Sequence, residues 1–118
     1  NKTYNAVVPK INKALLKYFI IGLIDGDGSI NFGNKKGASF TLVCNKKITK
    51  WFEISVRKLG YTGKLSYCDD DPKKSWNRIR ITNIKDVLAL SKTLDIKNCS
   101  FCLDRKWHKI KETLLCMK

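Results

Sequence analysis

Apolar and polar residues change period several times along the chain, and each change marks an element. Over residues 11–25 the apolar side chains occupy more than one helical face. Ile11, Leu15, Tyr18, Gly22 and Gly26 make one stripe, and Leu16, Phe19, Ile20, Leu23 and Ile24 fill the rest. With Pro9 and Asn12 as start signals this predicts a helix, and a helix so apolar needs cover on two sides. Its own sheet can cover one side; something else must cover the other.

Gly28 ends that helix, and residues 29–32 alternate polar with apolar, as a strand with one buried face does. Residues 33–37, bounded by glycines, are a turn. Residues 38–45 form a second strand with Phe40, Leu42 and Cys44 on one face and Ser39, Thr41, Val43 and Asn45 on the other. An amphipathic helix over 49–59 buries Trp51, Phe52, Ile54, Val56 and Leu59 and stops at Gly60. Strands over 61–68 and 76–82 flank a turn at 69–75, whose Asp69, Asp70 and Asp71 read as a solvated tip. A short helix over 86–94 and a longer one over 101–116 complete the chain, and residues 1–10 read as a loose arm. The order helix, hairpin, helix, hairpin, helix, helix is that of an α+β fold, a four-stranded antiparallel sheet with helices on one face. No linker or low-complexity stretch interrupts residues 1–118, which therefore read as a single domain.

Charge sharpens this picture. The chain has 24 Lys and Arg against 10 Asp and Glu, a net +14. Self-repulsion on that scale disfavours the compact state, so a polyanionic partner is its usual reason. Nucleic acid comes first and an anionic membrane second. The longest apolar stretch, 14–24, is interrupted by Lys17 and too short to cross a bilayer, which argues for no membrane partner. An odd number of cysteines, five, with no secretory leader or lipidation signature, points to reduced thiols in an intracellular compartment. The abundance of Lys, Asn and Ile suggests an AT-rich gene, as in organelle genomes of the mitochondrion or chloroplast. The start at Asn1 fits a piece of a longer protein. Cys99 and Cys102 form a CxxC, with His108 and Cys116 beyond, on which a zinc-stabilised basic module could be drawn. No second CxxC or HxxxH completes it, and both spacings suit small buried residues on a helix.

If Ile30, Phe32, Phe40, Leu42, Leu65, Tyr67, Ile79 and Ile81 face the helices, the open sheet face carries Ser29, Asn31, Ser39, Thr41, Lys64, Ser66, Trp76, Arg78 and Arg80. These are donors, acceptors and cations. Arg can read guanine edges, the short polar side chains can reach bases or phosphates, and a twisted strand pair fits the major groove. A merely solvated face would explain the polarity but not the cationic excess or Trp76. Lys46, Lys47, Lys50, Arg105, Lys106 and Lys109 read as backbone clamps or solvated charges.

Gly22 and Gly26 lie four apart and share a helix face. Gly inside a helix costs about 1 kcal/mol relative to Ala. Close backbone packing would explain both, and in a symmetric dimer the same helix of a second copy would supply it. Asp25 and Asp27 fall at the helix C-terminus, where exposed carbonyls are already negative. That concentration of charge asks for a cation. A carboxylate beside a carbonyl suits Mg²⁺, which keeps several waters and binds phosphate oxygens. The plain alternative is a pair of turn residues beside glycines.

Residues 20–28, Ile-Ile-Gly-Leu-Ile-Asp-Gly-Asp-Gly, resemble the LAGLIDADG motif of the homing endonucleases at six of nine positions: Gly22, Leu23, Ile24, Asp25, Asp27 and Gly28. Ser29-Ile30 and the element order over roughly 12–116 are similar too, and a single motif in so short a chain resembles the homodimeric branch. The resemblance implies that Asp27 is the metal-binding acid, aided by the Gly26 carbonyl, and that Asp25 is structural, near the dimer interface made with Gly22 and Gly26. Asn45 matches a position where a polar residue, often the longer Gln, places water. Lys97, with Lys92 as alternative, resembles the basic residue before the last helix that steadies charge at the scissile phosphate. The activity implied is a site-specific, Mg²⁺-dependent (or other divalent cation) cut of both strands of double-stranded DNA by a homodimer. A non-cleaving binder of structured RNA, an intron-splicing maturase or ribonucleoprotein component, would use the same scaffold. Asp27 favours the enzyme; the short segment before Lys97 and Asn at position 45 favour the binder.

Overall fold

A computed structural model describes residues 12–34, 37–100 and 104–116. Pro9, the arm 1–10 and Cys102 lie outside the described residues. Helix α1 spans Lys13–Asp27, and its N-cap Asn12 accepts a hydrogen bond from the Leu15 N–H at 3.3 Å, as the start signal predicts. It runs two residues past the expected end at 25, because the Gly28 N–H still donates to the Ile24 carbonyl. Strands β1 (Gly28–Asn34) and β2 (Gly37–Asn45) follow, then helix α2 (Lys46–Lys58), strands β3 (Ser66–Cys68) and β4 (Trp76–Ile81), helix α3 (Ile84–Thr93), a single 3₁₀ turn (Ile96–Asn98) and helix α4 (Asp104–Cys116).

The four strands lie in the order β1-β2-β4-β3, every neighbouring pair antiparallel. Two hairpins thus meet along β2 and β4. Period-two alternation holds: Phe40, Leu42 and Cys44 of β2 and Ile79 and Ile81 of β4 are buried beneath the helices. The Phe40 and Phe52 rings stack with centroids 5.6 Å apart, joining sheet to α2. Leu16, Ile20, Ile21 and Ile24 bury one face of α1 in the same core. The opposite face has no cover among the described residues, with Leu15 50% and Phe19 53% exposed beside Tyr18 and Gly22.

Other boundaries also differ from expectation. Helix α2 starts at Lys46 rather than 49, because Asn45 caps it, its Oδ1 accepting from the Lys47 N–H at 2.8 Å. Only Ser66–Cys68 of the strand expected over 61–68 pairs with β4. Residues 61–65 are instead fixed by side chains. Arg57 donates to the carbonyls of Tyr61 (3.2 Å) and Gly63 (2.7 Å), the Tyr61 hydroxyl donates to the Lys64 carbonyl (2.6 Å), and the Lys64 N–H donates to Asp86 (3.3 Å). Helix α3 starts at Ile84 rather than 86, capped by Asn83, whose Oδ1 accepts from the Asp86 N–H at 2.8 Å.

The turn 69–75 is exposed throughout, as a solvated tip should be, and it is also tied down. The Lys46 N–H donates to the Ser75 carbonyl (3.0 Å) and Lys46 Nζ to that of Asp71 (2.7 Å). Buried Asn77 donates to Asp70 (3.3 Å) and accepts from the Thr49 hydroxyl (2.5 Å). A buried amide needs such partners, and they tie the turn to α2.

At Gly63 a β-carbon would lie 2.5 Å from the Tyr61 hydroxyl oxygen and 2.6 Å from Asp86 Oδ1. Both groups are already hydrogen-bonded, so neither can retreat cheaply. Gly63→Ala is expected to cost about 1–3 kcal/mol in urea unfolding, the usual penalty of overpacking. An unchanged midpoint would show that the 61–65 loop yields.

Candidate nucleic-acid interface and the acidic end of helix α1

Strand register arranges the open face in rows. Ser29 lies opposite Thr41, Thr41 opposite Arg80, and Arg80 opposite Ser66, one polar row across all four strands. A second row places Arg78 between Val43 and Cys68. Asn31 pairs with Ser39 at one corner and Trp76 with Asn45 at the other, and Lys64 lies just before β3. Val43 is exposed on this face as well. The Lys74 ammonium sits 4.6 Å from the Trp76 ring centroid, a cation–π contact that partly covers the ring. Arg80 is exposed and has no ion pair among the described residues. Arg78 differs: its Nε is 3.2 Å from Asp69 Oδ2. That Nε is buried and the contact is too bent for a hydrogen bond, so it is an ion pair only.

At the other focus of charge, α4 grips the end of α1. Lys106 Nζ donates to the carbonyls of Ile24 (3.0 Å), Asp25 (2.7 Å) and Gly28 (2.7 Å). Its neighbour Trp107 is buried and donates its indole N–H to Asp25 Oδ1 at 2.7 Å. A helix leaves its last carbonyls without partners and carries partial negative charge there, so an ammonium is the natural cap. Part of the cation that this end requires is therefore supplied by the chain. Gly28 makes the exit possible: a β-carbon there would lie 2.8 Å from the Ile24 carbonyl oxygen, closer than any side chain tolerates.

Asp27 stands apart from this clamp. It is exposed, and its Oδ2 lies 3.8 Å from Cys44 Sγ. Burial, and secondarily the Asp27 charge and hydrogen bond, push the Cys44 thiol up to about 12. Cys44 therefore remains a thiol donor to Asp27 at neutral pH. A β-carbon at Gly22 or at Gly26 would meet nothing within 4 Å, so the shared glycine face opens outward. Beside it, Tyr18, Phe19, Gly22, Leu23, Ile48 and Trp51 line an apolar groove between α1 and α2.

The remaining expected residues lie elsewhere. Asn45 is buried and its side-chain oxygen is committed to the α2 cap. Lys97 is exposed on the 3₁₀ turn, and the Lys17–Asp95 ion pair (3.6 Å) fixes that segment against the first half of α1. Asp27 is ten residues beyond Lys17, about 15 Å along a helix rising 1.5 Å per residue. The lysine held at the acidic end is thus Lys106, which in sequence was one of several solvated charges or backbone clamps. Sequence reasoning also passed over Trp107; its one available signal was an aromatic beside a lysine on the last helix.

Among the described residues no three His, Cys, Asp or Glu side chains gather to hold a metal ion. The donor set present, the exposed Asp27 carboxylate beside the Gly26 carbonyl, fits a hard cation such as Mg²⁺, which takes one or two carboxylates and completes its shell with water and phosphate. No described helix is long and apolar enough to cross a membrane.

No family model matches the sequence, and no curated protein matches it either. The fold does have solved counterparts: four helices on a four-stranded antiparallel sheet in this order are the architecture of a LAGLIDADG homing endonuclease. The particular structure is the group I intron-encoded homing endonuclease I-CeuI complexed with DNA, similar with a TM-score of 0.57 at 15% identity over 91% of this chain and 57% of that one. The chain thus spans little more than half of that protein's length, and the likeness shows the shared fold.

Lys106→Met is expected to lower stability by about 1–2 kcal/mol in urea unfolding, since three carbonyls lose their cation. No change in the midpoint would return Lys106 to the solvated charges.

Proposed function

We propose that this chain is a homodimeric DNA endonuclease that docks its open sheet face on double-stranded DNA and cuts with the help of a divalent cation at Asp27. The observation that carries this reading is the unequal fate of the two acids. Asp25 is consumed by Trp107, whereas Asp27 is kept exposed at the end of α1, next to a glycine face that nothing among the described residues covers. A carboxylate at a helix C-terminus is electrostatically costly, and a cation with a phosphodiester offsets that cost. When bound, the cation supplies Lewis-acid stabilisation of the phosphate and a more acidic water.

The chain's own residues do the rest. Asp27 and the Gly26 carbonyl hold the ion's protein side. Lys64, Arg80 and the row Ser29–Thr41–Ser66 grip backbone and bases across the sheet. Leu15, Tyr18 and Phe19 around Gly22 and Gly26 form the apolar face that a second α1 covers backbone to backbone, bringing two Asp27 residues to one duplex. The fold neighbour, a homing endonuclease complexed with DNA, supports the same use of this scaffold.

A second reading, a nucleic-acid binder without nuclease activity on structured RNA, is favoured by two observations: Asn45 is committed to a helix cap, and the turn that carries Lys97 is ion-paired through Asp95 to Lys17 in the first half of α1. Incubation with a randomised duplex DNA library and Mg²⁺ separates the readings. Native protein is expected to cut a subset of sites on both strands, and Asp27→Asn to abolish cutting while retaining binding. Binding without cutting by the native protein would favour the second reading. Gly22→Leu is expected to leave the fold intact and convert the dimer to monomer in sedimentation velocity; an unaltered mass would remove α1 from the interface.

A further inference from the structure

Arg78 and Arg80 share a strand and a face but are held differently. Arg80 is exposed with no ion pair among the described residues, whereas the buried Nε of Arg78 lies 3.2 Å from Asp69 Oδ2 in an ion pair without a hydrogen bond. Asp69 directly follows β3 and adopts φ +58°, the left-handed region that side chains other than Gly, Asn and Asp seldom occupy. The turn behind it is secured by Lys46 to Ser75 and Asp71 and by Asn77 to Asp70. The carboxylate therefore reaches Arg78 from a fixed base. Stability does not account for the arrangement: the two side chains are 39% and 41% exposed, and ion pairs of that exposure contribute little to folding.

We infer that Asp69 is a positioning residue for base recognition: by pairing electrostatically with the buried Nε side of Arg78 it leaves the two terminal guanidinium nitrogens as a fork matched to N7 and O6 of a guanine in the major groove. This rests on the reading that the open sheet face binds duplex DNA. An arginine ion-paired on its Nε side retains the planar pair of donors that bidentate recognition uses and has less freedom to lose on binding. Val43 and Cys68, opposite Arg78 in its row, are uncharged and offer the guanidinium no competing acid. Arg80, unrestrained, contributes affinity through phosphate and base contacts that need no single orientation.

The test is selection of bound sequences from a randomised duplex library in EDTA, with native protein, Arg78→Ala, Asp69→Asn and Arg80→Ala. Asn keeps tolerance of the left-handed backbone and removes only the charge. Native protein is expected to prefer guanine at one position, and Arg78→Ala to lose that preference. Asp69→Asn is expected to weaken it about tenfold, within the discrimination a bidentate pair provides. Affinity of the same variant for unselected DNA should hold or rise, since a negative charge has been removed from the face. Arg80→Ala is expected to weaken binding to all sequences and leave the Arg78 position unchanged. Full guanine preference in Asp69→Asn, or an equal loss at every position, would overturn the role of Asp69 while leaving the sheet as the binding face. Failure of native protein to retain any duplex would overturn both.

Discussion

The negative end of α1 is the constraint around which this molecule is arranged. A helix ending in Asp-Gly-Asp-Gly accumulates carbonyl and carboxylate charge at one point, and the chain answers it from far along the sequence. Lys106 and Trp107, adjacent on α4, take the carbonyls of Ile24, Asp25 and Gly28 and the carboxylate of Asp25. Two consecutive side chains thus answer part of that charge and anchor the last helix to the first. Asp27 is left over. It is exposed beside Cys44, whose thiol donates to it.

The same clamp relates the acid to the sheet. Gly28 lets the chain leave the helix so close to Ile24 that β1 begins at once, and β1 starts in register with Leu42 of β2. From that point the antiparallel ladders carry the register across β2 and β4 to β3, so the row Ser29–Thr41–Arg80–Ser66 is fixed relative to Asp27 by backbone alone. On the helix side, Lys46, Thr49 and Asn77 lock the turn 69–75 to α2. A polar network buried on one side of the sheet thereby sets the position of Asp69, and through it Arg78, on the other.

Patterning made the larger features legible. Alternation in residues 38–45 and 76–82 correctly assigned Phe40, Leu42, Ile79 and Ile81 to the core and Thr41, Arg78 and Arg80 to the open face, because a strand with one buried face has no other solution. Gly60 ended α2 as expected, with φ +110°. The four-residue spacing of Gly22 and Gly26 placed them on one exposed face. What stayed hidden were features made by single side chains reaching backbone groups or carboxylates. Asn45 fits strand alternation and only its hydrogen bond to Lys47 reveals a cap. Residues 61–65 carry strand-like apolar residues, yet Arg57 occupies their carbonyls. Lys106 is one of many lysines until the fold brings it to Ile24, 82 residues away in sequence. Periodicity reports which face a residue occupies and is silent about its hydrogen-bonding partner.

Placing one Asp27 per chain at the edge of an uncovered, glycine-notched helix face makes sense if two chains act together on one nucleic acid. Native mass spectrometry of the protein with a duplex recovered by selection reads this directly, because it counts chains on each DNA molecule. Two copies per duplex are expected across the titration, with no stable singly occupied species at saturation. Saturation by a single copy would contradict two chains acting together.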